Sequence, residues 1–331
     1  MTHLRGRSVL TVEDFSQAEL LDLLRLGAEL KAARRGGYEA QLLKGKTIAL
    51  IFEKDSTRTR SGFEVAAYHQ GAHVTYMGPG GSHIGHKESV KDTARVLGRM
   101  YDAIEFRGFA QADVEALAQY SGVPVYNGLT DTSHPTQVLA DFMTMREFSD
   151  KPLKEISFTF LGDGRNNMAL SLAMGAAKLG MKMRIGAPRS LWPDDATTAK
   201  LQALAAQSGA DIGFEADPQK SVAGADFLYT DVWLSMGEDE HLWGERIKLL
   251  LPYQINKALM QATGNAAAKF MHCLPAFHNT ETSVGHDIET RFGIPAMEVT
   301  DEIFEGATSI VFDQAENRLH SIKAILVATL A

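Results

Sequence analysis

"KTIALIFEKDSTRTRSGFE", residues 46–64, joins an unbroken apolar run to a segment that packs three hydroxyls and two arginines into five residues. The run reads as a buried strand, and the hydroxyl-rich segment reads as the opening of a helix. Arginine in a first helical turn opposes the macrodipole, at about 0.3–1 kcal/mol each when nothing compensates it. Arg58 and Arg60 are therefore poor choices for helix stability unless an anion sits there. With one in place, free backbone N–H groups, the hydroxyls of Ser56, Thr57 and Thr59 and a guanidinium can all point at it. The competing reading is a solvated helix start with Ser56 as a simple N-cap. The glycine-lysine signature of nucleotide P-loops is absent.

Moving outward, short β-rich runs alternate with longer helical patterns, the signature of βαβ units and parallel sheets. Ser16 and Glu19 form a capping box ahead of leucines recurring from Leu20 to Leu30, and Gly36-Gly37 ends that helix. Strands are expected at 46–52, 73–77, 101–106 and 123–126, then at 156–161, 182–187, 211–215, 226–230, 269–272 and 309–312. The expected class is α/β: two open, doubly wound domains, each a mostly parallel sheet flanked by helices. Their expected bounds are 1–148, completed by a returning helix at 314–331, and 149–313, with the charged stretch 149–155 as hinge.

Bulk properties narrow the function. A chain of 331 residues with 45% apolar content can fill two cores. Its net charge of −8, with scattered basic residues, is not the footprint of a nucleic-acid binder. No apolar stretch approaches the roughly 20 residues that span a bilayer, and the start lacks a signal-peptide core, so a soluble, cytoplasmic protein is expected. The single cysteine, Cys273, excludes an intramolecular disulfide.

Ligands of open α/β sheets bind beyond the carboxyl ends of strands. Arg107 follows such a run, either as a ligand group or as a surface arginine. His134 and Gln137 lie at a loop-to-helix transition, with Pro135 at a favourable N1 position; the alternative is a capped helix with a satisfied histidine. "LGDGRNNM", 161–168, faintly resembles a dinucleotide fingerprint but lacks its third glycine and a following acid. Asn167 there is a neutral donor and acceptor, or a helix cap. Asp231 suits an amino group or a turn, and Cys273 is a site residue or core filling. His83, His86, His272 and His278 lack the company that would make zinc convincing, so no metal is expected.

Taken together, STRTR at 56–60, HPTQ at 134–137, DVWLSMG at 231–237 and HCLP at 272–275 resemble the ornithine carbamoyltransferases over nearly the whole chain. The first two motifs are shared with aspartate carbamoyltransferases; the last two mark the ornithine branch. The resemblance implies that the first domain binds carbamoyl phosphate and the second L-ornithine, with no cofactor and a trimer as the active unit. It assigns Ser56, Thr57, Arg58 and Thr59 to the phosphate. Arg107, His134, Pro135, Thr136 and Gln137 go to the carbamoyl group, with Cys273 and Leu274 nearby. Asn167, Asp231, Ser235 and Met236 go to ornithine, and Arg318 is assigned to polarising the carbonyl. His83 stands where many members carry glutamine, in a loop that reaches a neighbouring subunit's site. Independently, "DVWLSMGEDE" offers acids and no base, which favours a diamino acid over aspartate. Rival readings are a carbamoyltransferase for another amine such as putrescine, an NAD-dependent dehydrogenase, and a non-catalytic amino-acid or phosphate sensor.

Overall fold

The computed structural model describes residues 4–80, 87–234 and 238–331, which divide into two compact units: Met1–Thr144 with Glu316–Ala331, and Met145–Ala315. Unit 1 runs α1 (Gln17–Arg35), β1 (Thr47–Phe52), α2 (Thr57–His69), β2 (His73–Met77), α3 (Val90–Leu97), β3 (Ala103–Arg107), α4 (Gln111–Ser121), β4 (Val125–Leu129) and α5 (Pro135–Glu147). Unit 2 continues with β5 (Ser157–Leu161), α6 (Asn167–Leu179), β6 (Lys182–Gly186), α7 (Asp195–Ser208), β7 (Asp211–Glu215), α8 (Pro218–Ser221) and β8 (Phe227–Thr230). It closes with α9 (Trp243–Leu250), α10 (Lys257–Ala262), β9 (Lys269–His272), α11 (Ser283–Phe292) and α12 (Asp301–Phe304). Helix α13 (Val311–Leu330) begins in unit 2 and returns the chain to unit 1; the first division falls inside α5.

Both sheets are parallel, ordered β2-β1-β3-β4 and β7-β6-β5-β8-β9. In each, the first strand in sequence lies inside the sheet and the chain winds first to one side and then to the other. Strand order therefore reverses beside β1 in unit 1 and beside β5 in unit 2, and such a reversal opens a crevice at the carboxyl ends. β1 reads as a continuous apolar run because helices cover both of its faces, and Ile48 to Phe52 are all buried. Among the described residues no helix is long and apolar enough to cross a membrane.

One expected strand, 309–312, does not form: α13 starts inside it, at Val311. The β-branched stretch "SIV" meets β9 only through an isolated bridge between Ser309 and Phe270. The helical pattern downstream then takes over, with the Gln314 amide donating to the Ile310 carbonyl. The strands expected at 101–106 and 123–126 begin two residues later. Ser16 and Glu19 do cap α1 reciprocally.

Helix α13 is tied into unit 1 by buried charge as well as by apolar packing. Lys323 pairs with Glu39 and Lys31 donates to Asn317 at 2.7 Å. In the same region burial, then the Lys323 charge, lowers the His320 pKa to about 4. The unfolded chain binds a proton at this histidine below its ordinary value of about 6.5, while the folded one does not until about pH 4. Stability therefore falls as pH drops through that window. From pH 7 to 5 this one residue is expected to cost about 2 kcal/mol. Urea midpoints at the two pH values measure it, and His320→Gln is expected to shrink the difference by that amount.

Candidate functional site

In unit 1 the carboxyl ends of β1 and β3 and the start of α5 carry hydroxyls, arginines, a histidine and an amide, and α13 adds one more arginine. Ser56 caps α2: its oxygen accepts from the Thr59 amide at 3.2 Å. Capping uses an oxygen lone pair, so the Ser56 hydroxyl hydrogen stays available, and the two readings of this residue coexist. The two arginines part company. Arg60 points away, bonding Glu64 at 2.9 Å and lying 3.7 Å from the Tyr76 ring centroid, so its cost at the helix start is offset locally. Arg58 lies close enough to His134 to perturb it electrostatically.

Arg318 is the centre of this cluster. Its Nη1 donates to His134 Nε2 at 2.8 Å and to Gln137 Oε1 at 2.7 Å, while Nη2 donates to Thr59 Oγ1 at 3.0 Å. Arg107 Nη1 reaches the same Thr59 oxygen at 3.3 Å. A hydroxyl has two acceptor sites and one hydrogen. With both sites taken by guanidiniums, Thr59 is left to donate. A guanidinium can only donate, so His134 Nε2 must accept and its proton sits on Nδ1. Burial first, then the charges of Arg318, Arg107 and Arg58, hold the His134 pKa well below its usual range. It is a neutral donor near pH 7.

Arg107 reaches this cluster through an irregularity in pairing. Phe106 pairs with Asn127 but Arg107 with Leu129, so β4 carries one extra residue, Gly128. A bulge of this kind re-aims side chains. A Cβ on Gly128 would lie 1.9 Å from Glu105 Oε1, so any side chain there would force the buried Glu105 carboxyl to move. Glu105 is fully buried, and neither of its oxygens accepts a hydrogen bond among the described residues. Burial raises its pKa well above the usual carboxylate range, against the opposing pull of Arg107 and Arg318. Thr136 is also fully buried and its carbonyl accepts from Ser321 at 3.0 Å, which ties the start of α5 to α13.

In unit 2 the loop after β5 leads to Asn167, the first residue of α6, and the loops after β8 and β9 carry Asp231 and Cys273; the three strands are adjacent in the sheet. Asn166, not Asn167, is the cap of α6, accepting from the Met168 amide at 2.7 Å. That removes the capping explanation for Asn167. Asp231 Oδ1 accepts both from the Val232 amide at 2.8 Å and from the Cys273 thiol at 3.1 Å. Leu274 has φ 60 and precedes a cis proline. Its amide donates to His272 Nδ1 at 2.8 Å, which puts the ring proton on Nε2, 3.3 Å from Glu298 Oε1. Glu298 also accepts from the Phe277 amide at 2.6 Å. Asp231, His272 and Cys273 offer ligand atoms within 4.8 Å of one another. His272 Nδ1 is already taken by the Leu274 amide, however, so a metal there would have to displace that bond.

Ser235, Met236 and His83 lie outside the described residues. The sequence reading missed Glu105, Asp141, Glu298 and the Asp163–Arg246–Glu238 bridge, in which Arg246 Nη2 donates to Glu238 at 2.9 Å. Only Asp141 left a readable signal, four residues after Gln137 on a helix.

Two family models match the chain. Residues 7–147 match the aspartate/ornithine carbamoyltransferase carbamoyl-P binding domain, and residues 154–329 match the Asp/Orn binding domain of the same family. A catabolic ornithine carbamoyltransferase of Chromobacterium violaceum is 59% identical over 331 residues, covering 99% of this chain and 98% of that one. Its counterpart from Pseudomonas putida shows the same identity and coverage. The solved ornithine carbamoyltransferase of Pyrococcus furiosus superposes with a TM-score of 0.89 at 40% identity, covering 99% of this chain and 98% of that one.

Proposed function

The chain belongs to the aspartate/ornithine carbamoyltransferase family and has ornithine carbamoyltransferase function, and from that premise we propose how its residues divide the reaction. The carbamoyl group of carbamoyl phosphate passes to the δ-amine of L-ornithine, giving L-citrulline and phosphate. Ser56, Thr57, Arg58 and Thr59 hold the phosphate at the start of α2. Arg107, His134, Pro135, Thr136, Gln137 and Arg318 surround the carbamoyl group, with Cys273 and Leu274 nearby. Asn167, Asp231, Ser235 and Met236 take ornithine. The observation that carries this reading is the Arg318 fork, one guanidinium bonded at once to Thr59, His134 and Gln137.

The neutral amine attacks the carbonyl carbon directly, a tetrahedral intermediate forms, and the C–O bond to phosphate breaks, the departing phosphate taking the proton that the amine nitrogen gives up. Donors aimed at the developing oxyanion supply the main catalytic term. Arg107, Arg318 and the Nδ1–H of neutral His134 are those donors. No cofactor and no covalent enzyme intermediate enter the scheme. Asp231, bonded to the Cys273 thiol, orients the amine.

An alkylammonium loses its proton near pH 10.4, so the reactive free amine is scarce at neutral pH. The chemical rate is expected to rise from pH 6 to 8. His134 contributes nothing to that rise, because its lowered pKa leaves it neutral throughout. A pH profile with chemistry rate-limiting checks this; a flat line would reject it. Carbamoyl phosphate is expected to bind first, which calorimetry of ornithine with and without a carbamoyl phosphate analogue tests.

The overall reading is tested by a citrulline assay with carbamoyl phosphate and, in turn, ornithine, aspartate and putrescine. Product with ornithine alone is expected; equal activity with putrescine would overturn a site selective for ornithine. The same reading takes the enzyme to be cytoplasmic and a trimer or a multiple of trimers, which fractionation and light scattering check.

A further inference from the structure

We propose that Asp141 is a positioning residue: it fixes which way round Gln137 presents its side-chain amide, and thereby makes the pocket select an acyl phosphate that carries N–H hydrogens. The inference rests on the reading of unit 1 as the carbamoyl phosphate site.

Gln137 and Asp141 stand four apart on α5, where side chains meet. Gln137 is 2% exposed and Asp141 is fully buried. Gln137 Nε2 donates to Asp141 Oδ1 at 2.8 Å, while Gln137 Oε1 accepts from Arg318 Nη1 at 2.7 Å. The orientation of an amide is decided by its partners. A carboxylate only accepts and a guanidinium only donates. Turning the amide over would set oxygen against oxygen at Asp141 and N–H against N–H at Arg318, two buried mismatches at once. The carbonyl end of Gln137 is thus held on the side of Arg318 and His134, where the acyl group is assigned. One of its lone pairs serves Arg318 and the other remains to accept.

An acceptor at that position discriminates between two ligands of almost equal shape. The carbamoyl group offers N–H hydrogens, whereas an acetyl group offers a methyl. The phosphate halves are identical, so the contrast isolates the acyl end. A site built around a hydrogen bond rejects the analogue that lacks it, because its own polar group is left unpaired.

The test uses the full-length enzyme and the ratio of the acetyl phosphate inhibition constant to the carbamoyl phosphate KM. Loss of one neutral hydrogen bond is worth about tenfold, so Asp141→Ala is expected to lower the ratio about tenfold. Asp141→Asn keeps an oxygen that can accept from Gln137 and is expected to restore the ratio to within about threefold of the parent. A purely structural role would lower the amount of active enzyme and leave the ratio alone. If Asp141→Ala does not fold, Asp141→Ser replaces it, since a serine hydroxyl in a helix turns back to its own backbone. An unchanged ratio in the folded Ala or Ser variant overturns the proposal, as does an Asn variant that falls as far as Ala. If neither acetyl phosphate nor inorganic phosphate competes with carbamoyl phosphate in the parent enzyme, the site reading itself is overturned.

Discussion

Arg318→Ala is expected to lower kcat by about 10²–10³-fold, the loss typical of removing one preorganised oxyanion donor. On the proposed assignment the guanidinium does more than face the substrate. It closes hydrogen bonds to Thr59, His134 and Gln137, all of them nearly buried. Its removal leaves three acceptors to find new partners, and each buried group left unpaired costs about 1–3 kcal/mol. Arg318→Lys separates charge from geometry. An ammonium keeps the positive charge but cannot place two parallel donors as the planar fork does. Lysine is therefore expected to recover less than a tenth of the lost rate, roughly the worth of one unrestored hydrogen bond. Single-turnover rates at saturating substrates measure both variants. Recovery of most of the activity by lysine would show that charge alone is required at this position.

Gly98→Ala is expected to lower the stability of unit 1 by about 3 kcal/mol or more, at the upper end of overpacking costs. A Cβ on Gly98 would lie 1.8 Å from the Ser121 carbonyl oxygen and 2.6 Å from its carbon. Both are backbone atoms, where α3 ends against the end of α4, so no rotamer change relieves the overlap. Gly98 itself has φ −63, a conformation alanine adopts freely, so backbone strain adds nothing. Alanine at such a position would otherwise help by about 0.4–1 kcal/mol through the unfolded state. The clash is larger and decides the sign. The expected result is a lower urea midpoint with an unchanged slope; a midpoint at or above the parent's would mean that the two helices move apart without cost.

The fold was legible because its signals are local. Apolar β-branched runs such as 47–52 alternate with capped helices, and that alternation specifies parallel sheets whatever the tertiary detail. It failed at 309–312, where "SIV" has strand propensity but the periodicity that decides its conformation lies downstream in α13. The candidate site was legible where a residue type was locally costly. Arg58 is the example: a charge misplaced for its helix marked it out, and it lies close enough to His134 to perturb it. The same logic misread Arg60, because Glu64 and Tyr76 satisfy it and only three dimensions show the tyrosine. Glu105 and Glu298 could not be found from sequence. A buried acid is identified by what surrounds it, and their surroundings come from segments far away in the chain. Gly128 is similar: one glycine among many, marked only by the carboxyl that its missing Cβ would strike.

Unit 2 is inserted into unit 1, since residues 145–315 lie between the two segments that make up the other unit. On the ribosome, where the chain emerges from its N-terminus, every strand of both sheets precedes the segment 316–331. A nascent chain can therefore own two complete sheets and still lack the Arg318 fork, because Arg318 emerges afterwards. The same segment brings Asn317 to Lys31 and Thr144, and Thr329 to Tyr126. A product stalled ahead of α13 is thus expected to expose the apolar surface that buried Ile322, Ile325 and Leu326 meet and, on the proposed role of Arg318, to lack activity.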